Sequence, residues 1–271
     1  MPGRFDGQVA VVTGGGAWTD RALGIGEATA TRLAEAGATV VITDADAEMA
    51  TRTAALIREA GGDATALAAD VSDRDEVAAL ADHVADEYGR LDVLVNNAAV
   101  RPDPDPGPVT ETNGDGFGRV LDVNLRGAAN CCEFLLPLLA EGDGGAIVNV
   151  ASVHATVGRP GWYQYDSAKA GLLALTRDVA ADHYDDGVRV NAVAPGWTIT
   201  DYHLRDESDP EAAVERETTP HEGGPGIMRR AAHPREQADA ILFLASDAAS
   251  FVTGTTLHVD GGHHAVGAGP D

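Results

Sequence analysis

Apolar and polar positions follow a repeating rhythm along the chain. Short runs rich in β-branched residues alternate with longer stretches that are apolar at every third or fourth position. Residues 8–13 (QVAVVT) are almost wholly apolar, which predicts a strand buried on both faces, and 39–43, 64–68, 93–96, 146–150, 189–194 and 256–259 repeat the pattern. The helical period runs through 25–36, stopped by Gly37, through 47–60, stopped by Gly61 and Gly62, and through an acidic stretch at 73–88. It returns as one long helix at 117–139, then at 163–184 and 235–245. Strands alternating with helices mean βαβ units. The expected fold class is therefore α/β, a parallel sheet with helices on both faces in three α/β/α layers, without internal repeats.

Two segments break the rhythm. Residues 101–108 (RPDPDPGP) form a stiff, proline-rich acidic stretch after the fourth strand, and 197–232 form a long segment of weak helical character. Both follow the carboxyl ends of strands, where open α/β sheets bind ligands, so 197–232 is expected to be a lid or substrate loop.

Composition narrows the field. A chain of 271 residues, 44% hydrophobic, fits a single domain over 1–271. No run approaches the roughly 18 apolar residues that span a membrane, and no secretory leader is evident, so the expected location is cytoplasmic. The formal charge of −24 repels nucleic acid and anionic membrane, and neither is an expected partner. Of the 43 acidic residues 28 are aspartate, while lysine occurs once. Adaptation to concentrated salt gives such a composition, and so does a GC-rich coding bias. The adjacent Cys131 and Cys132 read as small buried apolar residues rather than a bridge or metal site. His263 and His264 alone lack a ligand set, so no metal is expected.

The single lysine, Lys169, stands four residues after Tyr165 in a helical stretch, which places both on one helix face. An ammonium near a phenol stabilises the phenolate and lowers its pKa from about 10, giving a tunable acid/base. At the other end of the chain, Gly14 follows the first strand, and Gly24, Ile25 and Gly26 open the first helix. Glycines there let backbone amides approach a pyrophosphate resting on the helix N-terminus. Asp44 closes the second strand eighteen residues after Gly26, placed to accept both hydroxyls of an adenosine ribose and to repel a 2′-phosphate.

Taken in order, these residues resemble the short-chain dehydrogenase/reductase family over nearly the whole chain. Thr13-Gly14 with Gly24-Ile25-Gly26 resembles its TGxxxGxG, Asp70-Val71 its adenine-contacting pair, and Asn96-Asn97-Ala98 its NNAG. Asn124 resembles its helical asparagine and Ser152 its serine, Tyr165 and Lys169 fit its YxxxK, and Pro195-Gly196 with Thr200 fits PGxxxT. The resemblance implies a Rossmann-like, doubly wound fold. It also implies an oxidoreductase acting on CH–OH groups, passing a hydride between NAD(H) and a secondary alcohol or ketone. The implied catalytic residues are Asn124, Ser152, Tyr165 and Lys169: tyrosine as general acid/base, lysine lowering its pKa and holding the nicotinamide ribose, serine on the substrate oxygen, asparagine in a proton relay. The implied cofactor contacts are Gly14, Gly24, Ile25, Gly26, Asp44, Asp70, Val71, Asn97, Ala98, Tyr165, Lys169, Pro195, Gly196, Thr198 and Thr200, with Asp44 favouring NAD over NADP. By the same resemblance the substrate is a small alcohol or ketone, the pocket draws on His154, Trp162 and Trp197 together with Val153 and Arg101, and the assembly is a homotetramer. A sugar or polyol dehydrogenase, a cyclic-ketone or 3-oxoacyl reductase, and a non-catalytic NAD-binding regulator are the competing readings.

Two departures stand out. Nine residues separate Gly14 from Gly24 where the pattern has three, so the phosphate loop carries six extra, and Trp18 or Arg21 in it is a candidate to fold over the adenosine. Ala99 replaces the usual glycine near the nicotinamide ribose.

Overall fold

The computed structural model describes residues 4–19, 24–102, 107–111, 116–142, 144–204 and 206–266. Within them the strands are β1 (Val9–Thr13), β2 (Thr39–Asp44), β3 (Asp63–Ala68), β4 (Val93–Asn96), β5 (Gly145–Val150), β6 (Val188–Pro195) and β7 (Thr256–Val259). The helices are α1 (Ile25–Glu35), α2 (Ala47–Glu59), α3 (Arg74–Tyr88), α4 (Phe117–Leu121), α5 (Gly127–Ala140), α6 (Tyr163–Asp182), α7 (Pro210–Thr218), α8 (Pro234–Ala245) and α9 (His263–Val266). All seven strands join one parallel sheet in the order β3-β2-β1-β4-β5-β6-β7. The order reverses between β1 and β4, which opens a crevice at the carboxyl ends of those strands.

The period of two along each strand builds two cores. Ala10, Val12, Val40, Ile42 and Val95 point to one face and pack on Leu33, Ile57, Ile241 and Leu244 from α1, α2 and α8. Val9, Val11, Val41, Leu94 and Ile147 point to the other and pack on Val77, Leu80, Val84, Leu135 and Leu139 from α3 and α5. Both faces being covered explains the unbroken apolar runs. The helix starts carry the chemistry their sequence shows. Asp46 accepts from the amides of Glu48 and Met49 to cap α2, and Asp73 accepts from those of Asp75 and Glu76 to cap α3. The two cysteines are free and buried, with the thiol of Cys132 pushed up to about 12 by desolvation.

Three elements differ from the sequence reading. The long helix at 117–139 is continuous but contains a π-helical turn, Asp122–Arg126, which holds Asn124. Segment 197–232 contains α7, capped by Asp209 with a proline in its first turn, and a 3₁₀ turn at Asp201–Leu204. It has its own small core of Ile199, Leu204, Ala213 and Ala231. Its two ends are tied together, because Ala232 donates to the Trp197 carbonyl at 2.8 Å and Ile199 to the Ala232 carbonyl at 3.0 Å. The short α9 after β7 was not predicted. Among the described residues no helix is long and apolar enough to cross a membrane.

Candidate active site

The crevice beside β1 is shaped by close backbone approach. Gly14 lies at φ +59°, and a Cβ there would stand 2.6 Å from the Cα of Ala98. A Cβ on Gly26 would stand 2.3 Å from the Gly14 carbonyl oxygen and 2.4 Å from the Asn97 amide nitrogen. Asn97 Nδ2 donates to the carbonyls of Thr13 and Gly14, and Thr13 Oγ1 accepts from the amides of Asn97 and Ala98, so the loops after β1 and β4 are stitched together. Gly24 precedes α1 without a side-chain cap, leaving the first-turn amides to face the crevice. Asp44, partly buried at the end of β2, accepts from the amides of Gly16 and Asp46 at 3.1 Å each, and burial holds its carboxyl above the usual range. Gly14, Gly16, Trp18, Gly24, Ile25, Gly26, Glu27, Asp44 and Met49 line a cavity of about 360 Å³ here. An uncapped helix start, a glycine floor and a carboxylate at the far end fit a dinucleotide.

A second cavity, about 330 Å³, adjoins the first, and Ile25, Asn97, Ala99 and Thr200 line both. Ser152, Tyr165 and Lys169 share its wall with His154, Trp162, Pro195, Gly196, Trp197 and Thr198. The end of β5 and the start of α6 bring the three together. Ser152 is buried, and its Oγ accepts from the His154 amide at 3.2 Å to cap a short 3₁₀ turn. Lys169 is 2% exposed, and its Nζ donates to the Val150 carbonyl at 2.7 Å. Desolvation lowers the Lys169 ammonium to about 8. Its Nζ lies 5.7 Å from the centre of the Tyr165 ring.

The Tyr165 phenol corrects one expectation. Its pKa is raised, not lowered, because desolvation outweighs the pull of the Arg159 and Arg101 guanidiniums, with Asp166 adding to the rise. Arg159 and Arg101 oppose that rise, while the Lys169 ammonium, 5.7 Å from the centre of the Tyr165 ring, donates to the Val150 carbonyl.

Four expected site residues line neither cavity. Asn124 Oδ1 accepts from the Val100 amide at 2.7 Å and its Nδ2 donates to the Val100 carbonyl at 2.9 Å, so it clamps the loop after β4. Asp70 is engaged by Ser72 and by Arg119 at 2.9 Å, and Val71 is buried under α5 with its carbonyl accepting from Asn130. Ala98 contributes its backbone against Gly14. Conversely, Arg159 and His203 line the second cavity although nothing local in the sequence marks them, and His263, weighed in the sequence only as a metal ligand, lines it too. Residues 15–19 of the enlarged loop lie along α2, with Thr53 Oγ1 donating to the Gly15 carbonyl and Arg52 to that of Trp18, and Thr19 Oγ1 reaches Asp201 at 2.8 Å. Arg21 lies outside the described residues. Among those residues no group of three or more histidine, cysteine, aspartate or glutamate side chains could hold a metal ion.

This architecture has well-defined counterparts. A family model described as enoyl-(acyl carrier protein) reductase matches residues 19–264. The cis-4-hydroxycyclohexanecarboxylate dehydrogenase of Sinomonas cyclohexanicum is 44% identical over 97% of this chain and 98% of its own. The chain belongs to the short-chain dehydrogenase/reductase family. This short-chain dehydrogenase/reductase is also 38% identical to the meso-2,3-butanediol dehydrogenase of Serratia marcescens, over 96% of this chain and 95% of that one. The crystal structure of levodione reductase superposes with a TM-score of 0.83 at 32% identity, covering 97% of this chain and 99% of that one. The enzyme is accordingly an oxidoreductase that uses a nicotinamide cofactor on alcohols and ketones.

Proposed function

We propose that this short-chain dehydrogenase/reductase interconverts a secondary alcohol on a small carbocycle with its ketone, using NAD(H), with Tyr165 as the general acid/base. The observation that carries the reading is the placement of Ser152, Tyr165 and Lys169 on one wall of a cavity continuous with the glycine-floored crevice. Ile25, Asn97, Ala99 and Thr200, which line both cavities, would hold the nicotinamide end of the cofactor, which would supply the hydride acceptor or donor. Ser152 Oγ hydrogen-bonds the substrate oxygen and orients it toward the Tyr165 phenol. Tyr165 takes the hydroxyl proton in oxidation and returns it in reduction, the exchange of a positioned general acid/base. Lys169 holds the nicotinamide ribose from its buried position, and Asn124 acts by fixing the loop that carries Asn97 and Ala98.

Flat aromatic walls support a ring-shaped substrate. Trp162 meets the Tyr165 ring edge-on at 6.2 Å, and Trp197 closes another side. The name of the cis-4-hydroxycyclohexanecarboxylate dehydrogenase agrees with this, whereas that of the butanediol dehydrogenase points to an open-chain rival that lacks a use for such walls. The preference for NAD rests on Asp44, with Trp18 covering the adenosine. We further propose a cytoplasmic homotetramer; fully exposed Phe251, with Ile227 and Met228 more than half exposed, supplies apolar surface for subunits to cover.

Titration of NADH and NADPH into the wild type and Asp44→Ser tests the cofactor assignment. The wild type should prefer NADH, and the variant should lose about tenfold or more of that preference, the worth of hydrogen bonds to a charged acceptor. Equal or tighter NADPH binding by the wild type would remove Asp44 as the selector.

A further inference from the structure

We infer that the substrate carries a carboxylate and that Arg101 is the residue that reads it. The inference rests on the dehydrogenase reading above and adds the charge class of the substrate to it.

The second cavity contradicts the charge of the molecule around it. The chain carries −24, and the neighbouring nucleotide cavity includes Glu27, Asp44 and Asp201 in its wall. The substrate cavity includes two guanidiniums, Arg101 and Arg159, and among the described residues no aspartate or glutamate lines it. The charge of Arg159 is already matched, by Asp166 at 3.0 Å. Arg101 has no carboxylate partner among the described residues. It lies over the face of Tyr202, 3.6 Å from the ring centre, and 5.9 Å from that of Trp162. Stacking on an aromatic face fixes the plane of a guanidinium while leaving its N–H edge available for an acceptor.

Arg101 Nη2 lies 3.3 Å from His203 Nε2. A guanidinium carries five N–H donors and no acceptor, so one contact leaves most of them over, and its planar fork offers a carboxylate two parallel hydrogen bonds. Arg101 and Tyr165 line the same cavity and lie 5.9 and 6.2 Å from the centre of the Trp162 ring, on which Arg159 stacks at 4.0 Å, so a small substrate in that cavity reaches Arg101 with a carboxylate and Tyr165 with a hydroxyl.

The test uses the enzyme with saturating NADH and measures binding of cyclohexanecarboxylate and cyclohexanecarboxamide by calorimetry, neither of which can react. Turnover of cyclohexanol and 4-hydroxycyclohexanecarboxylate with NAD is followed alongside. The carboxylate should bind about tenfold more tightly than the amide, as a hydrogen-bonded charge pair dictates. Arg101→Gln should abolish that preference and Arg101→Lys, which keeps the charge without the fork, should keep part of it. Equal binding of acid and amide to the wild type, or an undiminished preference in Arg101→Gln, would overturn the inference even if both alcohols are oxidised. Selective binding of the acid without oxidation of either alcohol would instead uphold the anion site and remove the carbocyclic-alcohol reading.

Discussion

Lys169 shows how one residue couples function to stability. A lysine buried to 2% exposure with its pKa lowered to about 8 is held in the fold at a penalty, and the drop from 10.5 corresponds to about 3 kcal/mol. The sign follows from proton counting. Below about 8 both folded and unfolded chains hold the proton and the penalty is constant; between about 8 and 10.5 the unfolded chain binds more protons, so this group's contribution favours the fold increasingly as pH rises. Chemical unfolding of wild type and Lys169→Met at several pH values should therefore show the difference shifting toward the wild type over that window. A difference independent of pH would mean that the ammonium is not desolvated. Tyr165 shows the same competition, its phenol raised by burial and drawn back by Arg159 and Arg101. The tyrosine and lysine were legible because four residues on one helix fix their relation. Arg101 was legible only through the resemblance, and Arg159 and His203 were not, since their meeting depends on how the loops after β4, β5 and β6 converge.

At the scale of elements, the π-helical turn at Asp122–Arg126 illustrates what a hydrophobic period can and cannot reveal. The period gave the helix from 117 onward, because Val120, Val123, Cys131 and Leu135 are buried at helical spacing. It carried no mark of the wider turn that presents Asn124 to Val100, a bond made between distant segments. Asn124→Ala should remove both hydrogen bonds to Val100 and destabilise the protein by about 1–2 kcal/mol in urea unfolding, with a raised KM for NAD because the Asn97 loop loosens. A variant with unchanged stability and unchanged KM would show that the clamp positions nothing. Helix α7 went unrecognised for a different reason. Its start, Asp209 followed by Pro210, is a readable cap, but a nine-residue helix burying only Ala213 has almost no apolar face to detect. The strands, by contrast, were legible to within about a residue or two, because burial on both faces leaves them mostly apolar, with Asn149 and Asn191 as buried polar exceptions.

The molecule as a whole is governed by charge. Nineteen cationic side chains cannot neutralise forty-three carboxylates, and several ion pairs, such as Arg32 with Glu35 and Asp239, already share one arginine between two acids. The remaining self-repulsion disfavours the compact state and is screened over about 10 Å at 0.1 M salt and about 3 Å at 1 M. The melting temperature should therefore rise as potassium chloride is increased from low to molar concentration, and a fall would show that the surface ion pairs outweigh the repulsion. The sequence disclosed this charge completely, yet not that the substrate cavity is walled off from it, since that depends on which side chains the fold turns inward.

The central claim is that Tyr165 performs the proton transfer that accompanies hydride transfer, and the most direct measurement is NADH formation from a cyclic secondary alcohol by the wild type and Tyr165→Phe, with NADH affinity measured on both. The account predicts turnover lowered by about 10²- to 10⁴-fold, the worth of a positioned acid/base, with NADH bound as the wild type binds it. A variant that binds NADH and turns over within about tenfold of the wild type, below that range, would contradict it.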